Sequence, residues 1–569
     1  MIKKYTVNFK RYISTLFRQE VLYYFFLVAL MIPNVLLAVT ESSTMIEKIC
    51  SLVLPLGLYF IVATISKRVG LSIWLLFPIS VLAGFQVVLL YIYGRSVIST
   101  DMFLNFVTTD ASESQELLSN LLLIISTVVV MYVLPVVIAT ISLIRGYKLD
   151  ASFIRRNRNM AIVFSIVGGS LLGVCYASND EYTIKTKVYP INACYNMYQA
   201  VSKYNKLENY QNTSKNFKYD AFSLHSVSQR EIYVVVIGET SRAYSWELCG
   251  YNRSTNPKLK TINDLIVMDS VLTESNITHK SVPLLLSSAS ANDYDRIYSQ
   301  KSLISAFKEA GFKTAFFSNQ AHTATLTDYF GLEADVCQYL RDKSTEIGYN
   351  PLDSELVECA KNIIAKGENK QLIVLHTYGS HFNYVSRYPQ EYAYFKPHIA
   401  YSPDKNYIEQ LVNSYDNTIR YTDEVLFNLI SMLNEVNDAH ISLMYVSDHG
   451  EDLFDEGGDV IFHSSTTPSY YQLHVPMLVW MSQSFQDAYP QVVSSLKTNA
   501  HSQISSSASF FHTVLNVAGI ESIYRDDSYS LASKSFIERP RLYLDEHYKG
   551  VPLLDIDMRE RDRDKFSKF

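Results

Sequence analysis

Five long apolar segments crowd the part of the chain before residue 180, and they restrict its fold more than any other feature. They run over residues 20–39, 47–66, 71–93, 120–144 and 161–178. About 20 mostly apolar residues of helix suffice to cross a hydrocarbon core, so each is expected to be a transmembrane helix. Lys3, Lys4, Lys10, Arg11 and Arg18 precede the first. A cleaved signal peptide is the competing reading, but the apolar stretch is too long and no clear small-residue cleavage site follows it.

Loop charges set the orientation. The first loop carries Glu41 and Glu47 against Lys48, and the third carries Asp101, Asp110, Glu113 and Glu116 against Arg95. The second loop carries Lys67 and Arg68, and the fourth carries Arg145, Lys148, Arg155, Arg156 and Arg158. Basic and acidic loops therefore alternate. With the basic N-terminus in the cytoplasm, five crossings put everything after residue 178 outside, which in a bacterium is the periplasm. The expected organisation is a five-helix transmembrane domain over 1–178, a linker over 179–230 and an extracytoplasmic domain over 231–569. The stretch Met197–Tyr204 in the linker fits an amphipathic helix on the membrane surface and equally a plain surface helix.

Beyond residue 230 the pattern changes to short β-branched or aromatic runs that stop at polar clusters. Tyr233–Ile237 ends at Gly238-Glu239-Thr240, and Thr314–Phe317 ends at Ser318-Asn319-Gln320. Leu372–Leu375 leads into His376-Thr377-Tyr378-Gly379-Ser380-His381, and Ser442–Val446 leads into Ser447-Asp448-His449-Gly450-Glu451. Helical patterns such as Tyr407–Met432 separate them. Continuous apolar strands alternating with helices imply a mostly parallel sheet covered on both faces, and ligands of such sheets bind beyond the carboxyl ends of the strands. Clusters of Glu, Asp and His at those ends point to a metal-dependent hydrolase or transferase. Glu239, Asp448 and His449 supply carboxylate and imidazole ligands, and the imidazole favours zinc over magnesium. A fourth position is open to water or to a nucleophile, and zinc brings a hydroxyl close to deprotonation near neutral pH. A net charge of −6 gives no basic face for nucleic acid. The six cysteines, Cys50, Cys175, Cys194, Cys249, Cys337 and Cys359, form no CxxC pair, and spacing does not decide between disulfides and free thiols.

The chain resembles, essentially end to end, the phosphoethanolamine transferases that modify lipid A and other lipopolysaccharide sugars, a group that includes the mobile colistin-resistance enzymes. Val236-Ile237-Gly238-Glu239-Thr240 with Gly250–Pro257, Asn276–Pro283, Leu375–His381 and Ser447–Glu451 carry the resemblance. It implies an alkaline-phosphatase-like (sulfatase) α/β domain in which Glu239, Thr278, Asp448 and His449 bind zinc. Thr278 is the implied nucleophile, and His381 and His463 are implied to contact substrate. The segment Asp101–Glu113 resembles the family's periplasmic loop, so that Asn105, Thr109 and Glu113 would line the phosphate or ethanolamine pocket, with Glu113 pairing with the ammonium. Where lipid A enzymes often carry cysteines around the nucleophile, this chain has Glu274 and Leu284, and the loop is expected to be held by packing. Polar candidates in the next loop are Gln320 and His322.

The implied reaction takes phosphoethanolamine from phosphatidylethanolamine, parks it on Thr278 and passes it to a lipid A phosphate or another envelope glycan. The added ammonium lowers the acceptor's attraction for cationic peptides such as polymyxins. The implied enzyme is a monomer of the bacterial inner membrane. Rival readings are a sulfatase, which the missing CxPxR motif opposes, a phosphoglycerol transferase, and a non-catalytic envelope sensor on the same fold.

Overall fold

The computed structural model describes residues 18–93, 96–108, 122–180, 182–343, 350–398 and 404–568. Internal contacts divide it into two compact units, the first built mainly from residues up to Ser202 and the second from Lys203 onward.

The first unit is helical: α1 (Gln19–Thr40), α2 (Met45–Ala63), α3 (Val69–Leu75), α4 (Phe77–Tyr93), α5 (Thr100–Thr108), α6 (Leu122–Val128), α7 (Leu134–Ile144), α8 (Ala151–Ser178) and α9 (Ile191–Glu208). Among the described residues, four continuous stretches are long and apolar enough to cross a membrane: Gln19–Thr40, Met45–Ala63, Leu123–Ile144 and Ala151–Ser178. The span expected at 71–93 is instead a bent pair, α3 and α4, meeting at 61°. Pro78 explains the break, because proline lacks an N–H and disfavours helical backbone in the residue before it. Counting the pair as one span gives five. Between α6 and α7 the chain widens into a π-helical turn, Val129–Val133, just before Pro135. The last span begins ten residues before the expected 161, so Arg155, Arg156 and Arg158 lie on its first turns.

Helices α2 and α8 pack backbone to backbone. A Cβ at Gly168 would lie 2.7 Å from the Leu54 Cα, and one at Gly57 would lie 2.8 Å from the Ser165 N. Such close approach is how membrane helices gain dispersion contact where burial itself provides no driving force. The buried Asn34 amide nitrogen of α1 donates to the carbonyls of Tyr189 (2.8 Å) and Ser51 (3.2 Å).

The second unit is built on a seven-stranded sheet. Its strands are β1 (Glu231–Gly238), β2 (Ile266–Val267), β3 (Lys313–Ser318), β4 (Val336–Tyr339), β5 (Lys370–His376), β6 (His440–Ser447) and β7 (Met477–Met481). Their order is β2-β7-β6-β1-β5-β3-β4, with β7 antiparallel to the rest. The short edges β2 and β4 carry little strand signal in the sequence, whereas the antiparallel β7 is a continuous apolar run, Met477–Met481, bounded by Pro476 and Ser482. Alternation along β1 feeds two cores. Tyr233, Val235 and Ile237 pack on one face with α10 (Thr278–Leu286) and α12 (Ser506–Val517), and Ile232, Val234 and Val236 pack on the other with α11 (Ile408–Asn434). Each such side chain contributes ~1.5–3 kcal/mol by leaving water, which makes β1 the rigid axis of the unit. None of the six cysteines is in a disulfide.

Candidate active site

Four neighbouring parallel strands, in the spatial order β6, β1, β5, β3, present their carboxyl ends side by side. Asp448 and His449 follow β6, Glu239 follows β1, His376 ends β5, and Gln320 follows β3. This is where a doubly covered sheet leaves a crevice for ligands.

Glu239, Asp448 and His449 are buried, and one ligand atom from each lies within 4.8 Å of the others. The Nδ1–H of His449 donates to the Gly450 carbonyl at 3.0 Å, so Nε2 turns a lone pair into the site. There Nε2 lies 3.3 Å from Asp448 Oδ2 and 3.6 Å from Glu239 Oε1. Three acceptors thus face one another across a gap that needs a positive charge. Burial pushes the Asp448 carboxyl up to about 7 and raises that of Glu239, with Asp448 next to it as the second cause. A divalent cation removes that cost. Two carboxylates and an imidazole are a donor set suited to zinc, so the residues present fit the ion.

Thr278 opens α10, with Ile277 as its N-cap. Its Oγ1 lies 3.3 Å from each oxygen of Glu239 and 3.1 Å from His449 Nε2. The positive end of the α10 dipole favours negative charge developing there. Thr240, the other hydroxyl beside the cluster, is placed differently. It sits at φ 56°, a left-handed conformation that costs a β-branched residue ~1–3 kcal/mol. Its N–H donates to Asp448 Oδ1 at 3.1 Å, its hydroxyl donates to Glu239 Oε1 at 2.5 Å, and its carbonyl accepts from Tyr415 at 2.7 Å. Thr240 therefore braces the carboxylates. Gly379 lets the following loop close on this segment. At φ 51° its missing Cβ avoids a collision with the Glu239 carbonyl oxygen, which accepts from the Ser380 N–H at 2.9 Å.

A row of imidazoles leads away from the cluster. The ring of His463 lies 4.3 Å from that of His449, and His381 lies 5.9 Å beyond it, stacked on Tyr378. Burial, followed by the neighbouring His449 and His381, holds His463 well below the usual imidazole range. Its Nδ1 is buried with no protein partner. Phe462 and Ser464, on either side of it, both have positive φ (68° and 64°), so strained backbone presents this ring.

The loop before Thr278 is held by packing, as expected at the fully buried Leu284, and also by a polar network that the sequence did not reveal. Glu274 accepts from the Ala291 N–H at 2.7 Å and from Ser505 at 3.1 Å. The Asn276 amide donates to the Ser465 carbonyl (2.8 Å) and Gln472 (2.7 Å), and its oxygen accepts from Tyr543 (2.9 Å). Asn276 thus ties the Thr278 loop to the His463 loop. Burial pushes the Glu274 carboxyl up to about 7, so the folded protein holds this proton more tightly than the unfolded chain. Stability from this group is full below the unfolded value near 4.5 and falls as pH rises toward 7. Glu274→Gln keeps the hydrogen-bonding shape and removes that loss. Relative to the parent, the variant should gain up to ~3 kcal/mol between pH 5 and 8, read from denaturant unfolding at each pH. A constant difference across that range contradicts this account of Glu274.

Of the residues singled out by sequence, Glu239, Thr278, Asp448 and His449 converge, and His463 and His381 adjoin them. Asn105 lies on α5 in the first unit. Thr109 and Glu113 lie outside the described residues. Sequence reasoning did not single out Ser281, whose hydroxyl donates to Asp448 Oδ2 at 3.3 Å, or His376. Ser281 lies one helical turn after Thr278, a spacing that could have indicated it.

A sequence profile of the sulfatase family matches residues 231–520, just over half of the chain. The chain belongs to the sulfatase family. Among curated relatives, phosphoethanolamine transferase EptC of Escherichia coli K12 is 28% identical over 346 residues, covering 59% of each chain. The chain therefore spans about three fifths of the length of the curated relatives it matches first. Among solved structures, the periplasmic domain of E. coli EptC in complex with Zn matches with a TM-score of 0.54 at 25% identity, covering 60% of this chain and 98% of that one. The integral membrane lipooligosaccharide phosphoethanolamine transferase EptA of Neisseria meningitidis matches with a TM-score of 0.68 at 22% identity, covering 91% of this chain and 97% of that one. This last likeness extends the fold match to membrane helices and sulfatase domain together.

Proposed function

We propose that the protein transfers phosphoethanolamine from phosphatidylethanolamine to a lipid A phosphate or another lipopolysaccharide or envelope glycan acceptor, through a phosphoethanolamine–Thr278 intermediate. The observation that carries this reading is the Thr278 hydroxyl facing the Glu239–Asp448–His449 cluster. Its likeness to EptC and EptA, both phosphoethanolamine transferases, supports the transferred group, and the EptA name supports a lipooligosaccharide-type acceptor.

Glu239, Asp448, His449 and Thr278 would hold zinc, which supplies Lewis-acid charge that lowers the barrier to an alkoxide attacking phosphorus. Thr278 Oγ1 gives up its proton and bonds to phosphorus as the ester bond to diacylglycerol breaks, and the departing oxygen takes up a proton, so that no net proton is gained or lost. An acceptor oxygen then bonds to the same phosphorus, the bond to Thr278 breaks and the threonine hydroxyl is restored. The α10 N-terminus stabilises the growing negative charge. His463, held neutral by burial, and His381 would donate hydrogen bonds to the phosphoryl oxygens. Asn105, Thr109 and Glu113 complete the reading as donor-binding residues, Glu113 through the ammonium. The protein sits in the bacterial inner membrane with its catalytic domain in the periplasm, because donor and acceptor are both membrane lipids. All named groups come from one chain, so a monomer suffices.

Mass spectrometry of envelope lipids from cells with and without the protein tests the reading. Phosphoethanolamine on lipid A or another glycan is expected only when the protein is present. Added phosphoglycerol, or no lipid change, contradicts it.

A further inference from the structure

Gln320 stands just past the end of β3, and its side chain reaches the rim of the cluster. The amide nitrogen lies 2.9 Å from Glu239 Oε2, 3.1 Å from the Thr377 carbonyl oxygen and 3.1 Å from His376 Nε2. The first two partners can only accept. An amide oxygen turned to this place would meet two acceptors, so the network fixes the nitrogen there and commits its two hydrogens to Glu239 and Thr377.

The frame around Gln320 is rigid. The Thr377 N–H donates to the Ile237 carbonyl of β1 at 3.0 Å, and the Asn319 N–H donates to the His376 carbonyl at 2.8 Å. The Asn319 side chain donates to Asp353 at 2.8 Å. The buried His376 ring closes the far side, with its Nδ1 3.3 Å from Ser318 Oγ. On the other oxygen of Glu239 sits the Thr240 hydroxyl, at 2.5 Å. The Glu239 carboxylate is therefore gripped from both sides by neutral donors. Each oxygen keeps lone-pair capacity for the cluster. A lysine or arginine in place of Gln320 would neutralise the carboxylate and compete with a cation, whereas an amide orients it and leaves its charge available.

We propose that Gln320 is a positioning residue that fixes the Glu239 carboxylate for the catalytic metal and so sets metal affinity. This inference rests on the reading of Glu239 as a metal ligand. Partners that orient a ligand from behind typically govern about 10- to 100-fold in affinity. Gln320→Leu keeps the approximate volume and removes the donors. Gln320→Glu puts an acceptor opposite Glu239.

The test uses full-length protein in detergent, with zinc alone as the probe. Zinc affinity is measured by chelator competition, and the melting temperature of the metal-stripped protein is measured beside it. Both variants should weaken zinc binding by about 10- to 100-fold. The metal-stripped Gln320→Leu protein should melt within about 2 °C of the metal-stripped parent. With fluorescent phosphatidylethanolamine at limiting zinc, kcat should fall while KM stays unchanged, and excess zinc should restore much of kcat. Zinc affinity within about twofold of the parent overturns the proposal, as does an equal loss of stability without metal, which would make Gln320 an ordinary structural residue. If the parent binds zinc but transfers no phosphoethanolamine, the functional reading fails. Weakened zinc binding in the variants would then still support the positioning role.

Discussion

Thr278→Ala should abolish phosphoethanolamine transfer, lowering the rate by ~10³-fold or more. The hydroxyl at this position faces both oxygens of Glu239 and the Nε2 of His449, at the positively polarised start of α10. Transfer between two lipids needs the group held while one lipid leaves and the other arrives, and a covalent adduct does this without losing the group to water. Alanine removes one hydroxyl and one methyl group from a partly exposed helix start, so folding and zinc content should be close to those of the parent. Thr240→Ser keeps the hydroxyl that braces Glu239 and should retain transfer. Initial rates with fluorescent phosphatidylethanolamine, alongside circular dichroism and zinc content, separate these outcomes. A Thr278→Ala protein with more than a tenth or so of parental activity is incompatible with a nucleophilic Thr278.

Much of this site is legible in the sequence because its groups sit at strand ends. A run such as Tyr233–Ile237 is continuous and apolar because both faces of β1 are covered, and Glu239 stands where that burial stops. The same holds for Asp448 and His449 after β6. What escapes the sequence is contact across distance. The hydrogen bond from Gln320 to Glu239 joins residues 81 apart, and no local pattern encodes it. Asn276, which ties the nucleophile loop to the His463 loop through Ser465 and Gln472, is equally silent. In the membrane half, hydropathy marks residues 71–93 as one apolar run because it carries no directional information. The 61° bend between α3 and α4 comes from the single proline at position 78. The start of α8 at Ala151 departs from the apolar pattern for the opposite reason, since its first turns are basic and extend the helix beyond its apolar stretch.

His449→Ala should remove bound zinc and with it nearly all activity. The ring supplies the only nitrogen in the cluster, and its Nε2 is aimed inward by the Nδ1–H bond to Gly450. Its loss leaves two buried carboxylates facing each other, and a cation then gains fewer than the usual number of ligands. Affinity should fall by more than ~100-fold, beyond the effect of residues that merely orient a ligand. His463→Ala is the informative contrast. Its ring lies beside His449 but is not one of the three clustered ligands, and its Nδ1 is buried with no protein partner. It should keep zinc while losing ~10²–10⁴-fold in transfer, as expected for a group acting on the reacting phosphoryl oxygens. Metal analysis of full-length protein after exhaustive dialysis distinguishes the two. Full zinc occupancy in His449→Ala refutes the ligand assignment.

The central claim is that Thr278 carries phosphoethanolamine between donor and acceptor. Peptide mass spectrometry of the full-length protein, quenched after incubation with phosphatidylethanolamine in the absence of acceptor, reads this directly. The account predicts phosphoethanolamine on the peptide containing Thr278 and its disappearance when acceptor lipid is added. Modification of the peptide containing Thr240, or an unmodified protein that still releases diacylglycerol and transfers the group, would contradict it.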